Sequence, residues 1–250
     1  MKLNATITLL ALLALPLGAS VANEGRMLAD ELANAPGRSD EDKARDAQRM
    51  PDQVLTFLGL RTGDTVLDIW ASGGWYTEVM SIAVGPEGKV YAQNSAAVLN
   101  YSDGYYDKLI SERLAGNRLP NVERINASVA DAEITPGSID FAFTAQNFHD
   151  IYNRQGKEGA ADFLAAVFDV LKPGGTLGII DHVGDAGADN TSLHRIEPSL
   201  VDEVAAEVGF IIEAKSDILA HPEDDHTRSV FDKILHGETD RFIVRLRKPE

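Results

Sequence analysis

The most informative stretch of the chain is Thr65-Val66-Leu67-Asp68-Ile69-Trp70-Ala71-Ser72-Gly73-Gly74. Its first six residues are mostly apolar or β-branched, which is typical of a β-strand buried on both faces. The small residues that follow let a ligand approach the backbone closely and leave the first N–H groups of a following helix free to bind it. The stretch therefore predicts a strand, a ligand-binding turn and a helix, although a purely structural tight turn has the same composition.

Two known motifs with a similar turn do not fit this stretch. A dinucleotide-binding turn follows G-x-G-x-x-G and needs an acid about 20 residues later. This chain instead has Trp70 at the first glycine position and ends its second predicted strand with Gln93-Asn94. A hydrolase nucleophile elbow follows G-x-S-x-G, but Trp70 also stands two residues before Ser72. The sequence therefore favours neither NAD binding nor serine hydrolysis.

Strand and helix patterns alternate on both sides of the stretch. The predicted strands are 65–70, 89–92, 122–125, 139–144, 176–181, 210–214 and 241–247, and the predicted helices are 40–49, 51–58, 75–84, 105–115, 163–171 and 201–208. This alternation is typical of an α/β fold in which helices cover both faces of a parallel sheet, and ligands bind such sheets beyond the C-terminal ends of the strands. Within a polar insertion at 216–240, Val230, Phe231, Ile234 and Leu235 recur at helical spacing and predict a lid over the sheet end.

The composition limits the possible partners. The 250 residues include 39 acidic and 23 basic side chains, and the formal net charge of −16 repels a phosphate backbone. We therefore expect no nucleic acid partner, and anionic membrane surfaces are poor partners as well. The chain contains no cysteine, which excludes disulfides, thiolate catalysis and cysteine zinc sites.

The N-terminus has the pattern of a secretory signal peptide. Lys2 precedes an apolar run, and Ser20-Val21-Ala22 supplies the small residues that signal peptidase requires. The run from Ala5 to Leu17 has 13 residues, fewer than the ~20 needed to span a bilayer, so a permanent membrane anchor is the less favoured interpretation. We predict a signal peptide over 1–22 cleaved near Ala22, an exported, periplasmic mature protein without a stable membrane anchor, a helical cap over 23–60 and one domain over 61–250.

Several short segments at the predicted strand ends form a recognisable order. They are Asp68 with its small-residue loop, Gln93-Asn94, Asp131, the strand 139–144 leading into Gln146-Asn147-Phe148-His149-Asp150, and Leu171-Lys172-Pro173-Gly174-Gly175. This order resembles class I S-adenosylmethionine-dependent methyltransferases. Together with Asp181-His182, His194-Arg195 and Thr239-Asp240-Arg241-Phe242, it is similar to a family of predicted exported methyltransferases over 38–249. The resemblance implies S-adenosylmethionine as the cofactor and a Rossmann-like three-layer αβα sandwich. It also implies a seven-stranded, mostly parallel sheet with an antiparallel last strand.

The resemblance further implies a set of cofactor-binding residues. Asp68, Trp70, Ala71, Ser72, Gly73 and Gly74 surround the methionine moiety, Gln93 or Asn94 binds the ribose, Asp131 binds the adenine, and Gln146 and Asn147 lie beneath the sulfonium. Trp70 and Ser72 depart from the family pattern, because glycines are commonest at their positions. An amide also replaces the acid that normally ends the second strand. A carboxylate makes charge-assisted bonds roughly twice as strong as neutral ones, so we expect Asn94 to bind the ribose less tightly.

Candidate catalytic residues follow the later strands. Methyl transfer needs an acceptor held in line and, for oxygen or nitrogen acceptors, a base that removes a proton, for which histidine is well suited. The candidates are His149, Asp150, His182 and His194, with hydrogen-bonded positioning roles as the alternative for the histidines. Arg195 either clamps an anionic substrate group or pairs with Asp181 or Glu197. No metal is expected, because the segment 221–226 matches no ligand motif and is interpreted as a solvated acidic loop.

Three functions remain open on the sequence. The first is an S-adenosylmethionine-dependent methyltransferase acting on an unknown small molecule. The second is a catalytically silent binding module on the same fold, which the altered glycine loop and the exported compartment favour. The third is a metal-dependent hydrolase that uses the histidines and the acidic loop. The sequence predicts neither the acceptor nor the oligomeric state.

Overall fold

A computed structural model describes residues 27–235 and 237–250 of the chain. It contains one seven-stranded sheet with the strand order β3-β2-β1-β4-β5-β7-β6. The strands are β1 (Thr65–Ile69), β2 (Lys89–Gln93), β3 (Val122–Ile125), β4 (Ile139–Ala145), β5 (Leu171–His182), β6 (Ile211–Ser216) and β7 (Arg241–Arg247). The neighbouring pairs among β1 to β5 are parallel, whereas β7 runs antiparallel to both β5 and β6. The predicted sheet with an antiparallel last strand is therefore confirmed.

Helices cover both faces of this sheet. They are α1 (27–34), α2 (Asp40–Ala44), α3 (Asp46–Arg49), α4 (Pro51–Leu58), α5 (Trp75–Val84), α6 (Ala96–Leu99), α7 (Tyr101–Leu114), α8 (Phe148–Val170), α9 (Asn190–Leu193) and α10 (Pro198–Val208). Two short 3-10 turns span Ala115–Asn117 and Lys233–Leu235. No helix within the described residues combines the length and the apolarity that a bilayer crossing requires.

Alternate side chains of the central strands enter two separate apolar layers. Leu67 and Ala142 pack in the layer that also holds the apolar side chains of α8 and α10. Their neighbours Val66, Phe141 and Phe143 pack in the opposite layer, with the apolar side chains of α4 and α5. Because successive residues of a strand point to opposite faces, this division confirms the predicted three-layer sandwich.

The N-terminal helices are part of the second layer. Leu32, Val54 and Leu58 are almost completely buried in it. Gly178 of β5 allows this packing, because a Cβ atom at that position would lie 2.6 Å from Cδ1 of Leu58. The predicted cap segment thus shares its core with the sheet, while the predicted signal peptide at 1–22 lies outside the described residues.

Two segments differ from the sequence expectation. Helix α8 begins at Phe148, well before the predicted start, and Gly156 interrupts it with a φ of +70°. Its first half carries too few apolar residues to show a helical pattern. The predicted helical lid was wrong, since Phe231 and Ile234 are 72% and 71% exposed and residues 230–235 form only turns and one 3-10 turn. Side-chain oxygens of Ser229 and Asp232 accept backbone N–H bonds there, which favours turns over a helix.

Candidate functional site

The loop after β1 keeps a glycine-type backbone without glycine at two of its positions. Trp70 and Ser72 both have a φ of +52°, in the left-handed region that L-residues rarely adopt. Gly74 follows with a φ of +77° and precedes the first residue of α5. At the two departures from the family pattern, the backbone therefore adopts a conformation that glycine favours, at a conformational cost of about 1–3 kcal/mol for each residue.

Two amide side chains at the end of β2 hold this loop in place. Oδ1 of Asn94 accepts a hydrogen bond from the Ser72 N–H at 2.8 Å, and its Nδ2 donates to the Ser72 carbonyl at 3.1 Å. Oε1 of Gln93 accepts from the Trp70 N–H at 3.1 Å. Both side chains are buried. The amides that the resemblance assigns to the ribose are thus engaged with the loop backbone.

The loop is also held from two other elements. Nε of Arg113, on α7, donates to the Gly73 carbonyl at 2.8 Å, and its guanidinium pairs with Asp42 and Glu78. Nδ2 of Asn147, after β4, lies 3.5 Å from the Trp70 carbonyl. The predicted cofactor residues around 70–74 therefore form one connected hydrogen-bond network.

Asp68 is a buried acid beneath the loop. Oδ2 accepts a hydrogen bond of 2.5 Å from Oγ1 of Thr77, which is its one hydrogen-bond donor in the described part of the chain, and Asp68 forms no salt bridge there. Burial raises the pKa of Asp68 to about 7, against the smaller lowering effect of the Thr77 bond. The site thus holds a carboxylate that lacks a cation.

Asp131 and Gln146 lie at different places on the same sheet edge. Asp131 is exposed, and its carboxylate accepts a hydrogen bond from Oγ of Ser128 at 2.6 Å. Within the described residues, no hydrogen bond joins its side chain to the loop network. Gln146 has a φ of +62°, and its Nε2 lies 3.2 Å from Nε2 of His182. Burial lowers the pKa of His182 to about 3, so this ring is neutral near pH 7. Its Nδ1 is buried without a hydrogen-bond partner among the described residues.

His149 is fixed by a carboxylate at the end of β5. Its Nδ1 lies 2.7 Å from Oδ1 of Asp181, and its backbone N–H donates to Oδ2 of the same side chain at 2.7 Å. Burial disfavours the charged ring, but the Asp181 and Asp150 carboxylates together outweigh this effect, and the pKa of His149 lies above its ordinary value. In the neutral ring, a proton held at Nδ1 by Asp181 leaves the lone pair of Nε2 free.

Asp150 and His194 face that free nitrogen. Oδ1 of Asp150 lies 3.9 Å from Nε2 of His149 and 3.5 Å from Nδ1 of His194. His194 has a left-handed φ of +55° at the end of α9, and its ring packs edge-on against that of Phe231, with 4.7 Å between the centroids. The structure thus brings three of the four predicted catalytic residues into one cluster, with His182 beside it at 5.9 Å between its ring centroid and that of His149.

Arg195 has a different role from the predicted one. Its side chain is fully buried, and its Nη2 lies 3.0 and 2.9 Å from the two carboxylate oxygens of Asp224. The expected pairing with Asp181 or Glu197 was wrong, because the insertion folds back and brings Asp224 to this guanidinium. The acidic segment 221–226 is therefore not simply solvated, since His226 also bridges Asp185 and Asp240.

Sequence reasoning missed three residues that position the site. They are Thr77 on Asp68, Arg113 on the loop and Asp181 on His149. An acid at the end of a buried strand was the one available signal for Asp181, whereas Arg113 reaches the loop from a helix 40 residues away in sequence.

Known proteins share this architecture. The chain is 28% identical over 198 residues to the ubiquinone/menaquinone biosynthesis C-methyltransferase UbiE of Saccharophagus degradans, a match over 74% of this chain and 72% of that protein. Two other curated methyltransferases are matched over only 44% and 45% of their length. No protein-family model matches the chain.

Solved structures agree on the fold. A SAM-dependent methyltransferase from Aquifex aeolicus aligns with a TM-score of 0.60 at 22% identity, over 82% of this chain and 95% of that one. The [4+2]-cyclase SpnF aligns with a TM-score of 0.61 at 17% identity, over 92% and 94%. The fold is therefore the Rossmann-like fold of class I methyltransferases. Because one of these neighbours is named for a cyclisation, the choice of reaction rests on the site.

Proposed function

We propose that this protein is an S-adenosylmethionine-dependent methyltransferase that acts on a small-molecule acceptor. The observation that carries the proposal is the loop after β1, which keeps the left-handed backbone at Trp70 and Ser72 and is held there by Asn94 and Gln93. Positive φ at non-glycine residues is costly and persists where the surroundings impose it, often at binding sites. The similarity to a C-methyltransferase over most of the chain supports the same interpretation.

The residues present fit the cofactor. Asp68 is a buried carboxylate without a cationic partner among the described residues, and the α-ammonium group of S-adenosylmethionine is a cation of suitable charge. The loop at 71–74 and the N-terminus of α5 would hold the methionine part. Since Asn94 is engaged with Ser72, the ribose would meet an amide already fixed in orientation. When bound, the cofactor supplies an electrophilic methyl group.

The chain's own residues would then handle the acceptor. Asp181 keeps the proton of neutral His149 at Nδ1, so Nε2 can accept a proton from an acceptor hydroxyl or amine. His182 stays neutral because its pKa is about 3, and it offers a hydrogen bond rather than a charge. Asp150 and His194 are placed beside Nε2 and would orient the acceptor.

The same proposal includes export. The segment 1–22 has the charge, apolar run and small residues of a signal peptide, which supports a periplasmic mature protein. Expression of the full chain with mass analysis of the periplasmic fraction tests this directly. A mature N-terminus near Asn23 supports export, and an uncleaved chain confined to the cytoplasm contradicts it.

Calorimetry with S-adenosylmethionine and S-adenosylhomocysteine tests the cofactor assignment. We expect a single site with a dissociation constant on the order of 10 µM, within the usual range for enzyme substrates. Asp68→Asn should weaken binding about tenfold or more, because it removes a charge-assisted contact. Asp64→Asn, at the opposite end of β1, serves as the matched control and should bind normally. Absence of binding at millimolar ligand contradicts the proposal and favours a module that binds another compound.

A further inference from the structure

We infer that His149, Asp150 and His194 form a binding site for one divalent transition-metal ion. Each residue offers one donor atom, and the three donor atoms lie within 4.8 Å of one another. The site itself does not depend on the proposed methyl transfer, but the role assigned to the metal below rests on that proposed function.

The spacing of the donors is close to what a metal requires. Bond lengths near 2.1 Å place two donors of a tetrahedral site about 3.4 Å apart. The measured separations are 3.5 Å between His194 Nδ1 and Asp150 Oδ1, and 3.9 Å between His149 Nε2 and the same oxygen. All three donor atoms lie within 4.8 Å of one another, so the widest pair must close by up to about 1.4 Å, which the partly exposed side chains of Asp150 and His194 permit.

The surroundings of His149 match those of a metal ligand. Histidines that bind a metal usually donate their other ring N–H to a carboxylate, which fixes the tautomer and the ring orientation. Nδ1 of His149 lies 2.7 Å from Oδ1 of Asp181, a fully buried carboxylate that also accepts the His149 and His182 backbone N–H groups. Asp181 therefore presents Nε2 of His149 toward Asp150 in the form that a metal binds.

The donor set selects the kind of ion. Two imidazoles and one carboxylate suit zinc, iron, cobalt, nickel or copper, whereas magnesium and calcium prefer oxygen ligands alone. Three protein ligands leave at least one position open, as in catalytic metal sites. Asp150 and His194 have side chains that are 25% and 32% exposed, so this open side faces solvent and is reachable by a small molecule.

The open position has a use in the proposed function. An acceptor hydroxyl or enol bound there would lose its proton to solvent more readily, and the resulting alkoxide oxygen or enolate carbon would bond to the methyl group as the S–CH3 bond of S-adenosylmethionine breaks and S-adenosylhomocysteine leaves. In this arrangement Nε2 of His149 would bind the metal and would no longer accept the acceptor's proton. The metal would promote deprotonation in its place. This assigns the acceptor to molecules with an oxygen donor at the methylated position or next to it.

One residue competes with the metal. Nη2 of Arg154 lies 3.2 Å from Oδ1 of Asp150, where its positive charge disfavours a second cation. Its side chain is 67% exposed, so it can leave at little cost. Removing this charge should therefore tighten metal binding, which is an effect that general damage to the protein would not produce.

The experiment titrates metal-stripped full-length protein with Co²⁺, followed by visible absorption, and then displaces it with Zn²⁺. We expect cobalt bands that saturate at a single site and disappear with zinc. Asp150→Asn and His194→Ala should each weaken binding on the order of 100-fold, and Arg154→Gln should strengthen it several-fold. His221→Ala, a histidine outside the cluster, is the control and should bind like the unmodified protein.

Circular dichroism and S-adenosylhomocysteine calorimetry on the same samples separate the possible results. Loss of the cobalt bands in variants that stay folded supports the site. No cobalt bands in the unmodified protein, or equal affinity in all variants, overturns it. A protein that binds the metal but no S-adenosylhomocysteine retains the site and contradicts the proposed function, whereas the opposite result contradicts only the site.

Discussion

Nδ1 of His149 lies 2.7 Å from Oδ1 of Asp181, and this contact joins the start of α8 to the end of β5. Asp181 also accepts hydrogen bonds from two backbone N–H groups. An amide at this position would therefore place its own NH2 donor against one of the N–H donors inside the core. We expect Asp181→Asn to lower the free energy of unfolding by about 2–3 kcal/mol, since hydrogen bonds to a buried charge are worth this much. Urea denaturation measures the change.

A double-mutant cycle isolates this contact. Combined with His149→Gln, the Asp181→Asn change should show a coupling energy of about 1 kcal/mol or more. Asp185→Asn is the control, because the Asp185 side chain is 61% exposed, and its effect should stay below about 1 kcal/mol. Strictly additive effects of the two core changes would contradict the interaction.

The pKa of Asp68 predicts a pH dependence of stability. Burial raises this pKa from 3.8 in the unfolded chain to about 7 in the fold, so the native state favours the protonated acid. The stabilisation is fully present below the unfolded pKa and is lost as the pH rises through about 7. Relative to Asp68→Asn, the protein should lose about 2–3 kcal/mol of unfolding free energy between pH 5 and pH 8.

Denaturation of both proteins across this pH range provides the measurement, and the difference between them cancels the other titrating groups. A parallel comparison with Asp162→Asn, an exposed acid of helix α8, controls for the loss of one acid. A constant difference between the protein and the Asp68→Asn variant would contradict a raised pKa.

The left-handed backbone at Ser72 predicts an unusual effect of a glycine substitution on stability. A φ of +52° costs an L-residue about 1 kcal/mol or more, while glycine adopts it freely but loses about 0.5–1 kcal/mol through its greater freedom in the unfolded state. Ser72→Gly should therefore be as stable as the unmodified protein or slightly more stable. Ser72→Val should lose about 2 kcal/mol, because branching at Cβ aggravates the strain.

Thermal denaturation compares these variants with Ser111→Gly, a control within helix α7. Glycine in the helix interior, together with loss of the hydrogen bond that Ser111 accepts from Arg124, should cost about 1 kcal/mol. If Ser72→Gly is destabilised as much as Ser111→Gly, the left-handed backbone at Ser72 does not exist in solution.

The buried pair of Arg195 and Asp224 should be sensitive to the loss of one partner. Both side chains are fully buried, so Asp224→Asn leaves an uncompensated guanidinium and should cost about 3–5 kcal/mol. Replacing both residues with apolar side chains, Arg195→Met with Asp224→Leu, removes the unpaired charge and should recover part of this loss. The recovery is incomplete because the backbone groups that the pair now binds lose their partners. Denaturation of both variants and of the unmodified protein tests the idea, and a double variant that is no more stable than Asp224→Asn argues against it.

The periodic segments made most of the fold predictable. The buried strand at Thr65–Ile69 and the apolar strand Ile139–Ala145 each have a local pattern that specifies one conformation. The cluster of His149, Asp150 and His194 could also be predicted from the sequence, because the C-terminal ends of parallel strands meet at one sheet edge.

The remaining features depend on contacts between distant segments. Nothing near Arg195 in the sequence indicates Asp224, which reaches it only because the insertion folds back. Likewise, the family resemblance assigns Gln93 and Asn94 to ribose binding, but in the structure their side-chain amides bind the backbone groups of Trp70 and Ser72. Residues 230–235 have helical spacing, yet local hydrogen bonds from Ser229 and Asp232 favour turns.

The Arg195–Asp224 pair divides the insertion into a fixed and a variable half. The first half is anchored in the interior, whereas Phe231 and Ile234 stand largely in solvent, with Phe231 against the ring of His194. Under the proposed function, we expect residues 229–235 to determine which sizes of acceptor reach the cluster. Because this stretch contributes little to the core, its residues can be exchanged without unfolding the sheet. A few surface substitutions in this stretch should therefore be enough to change the substrate preference.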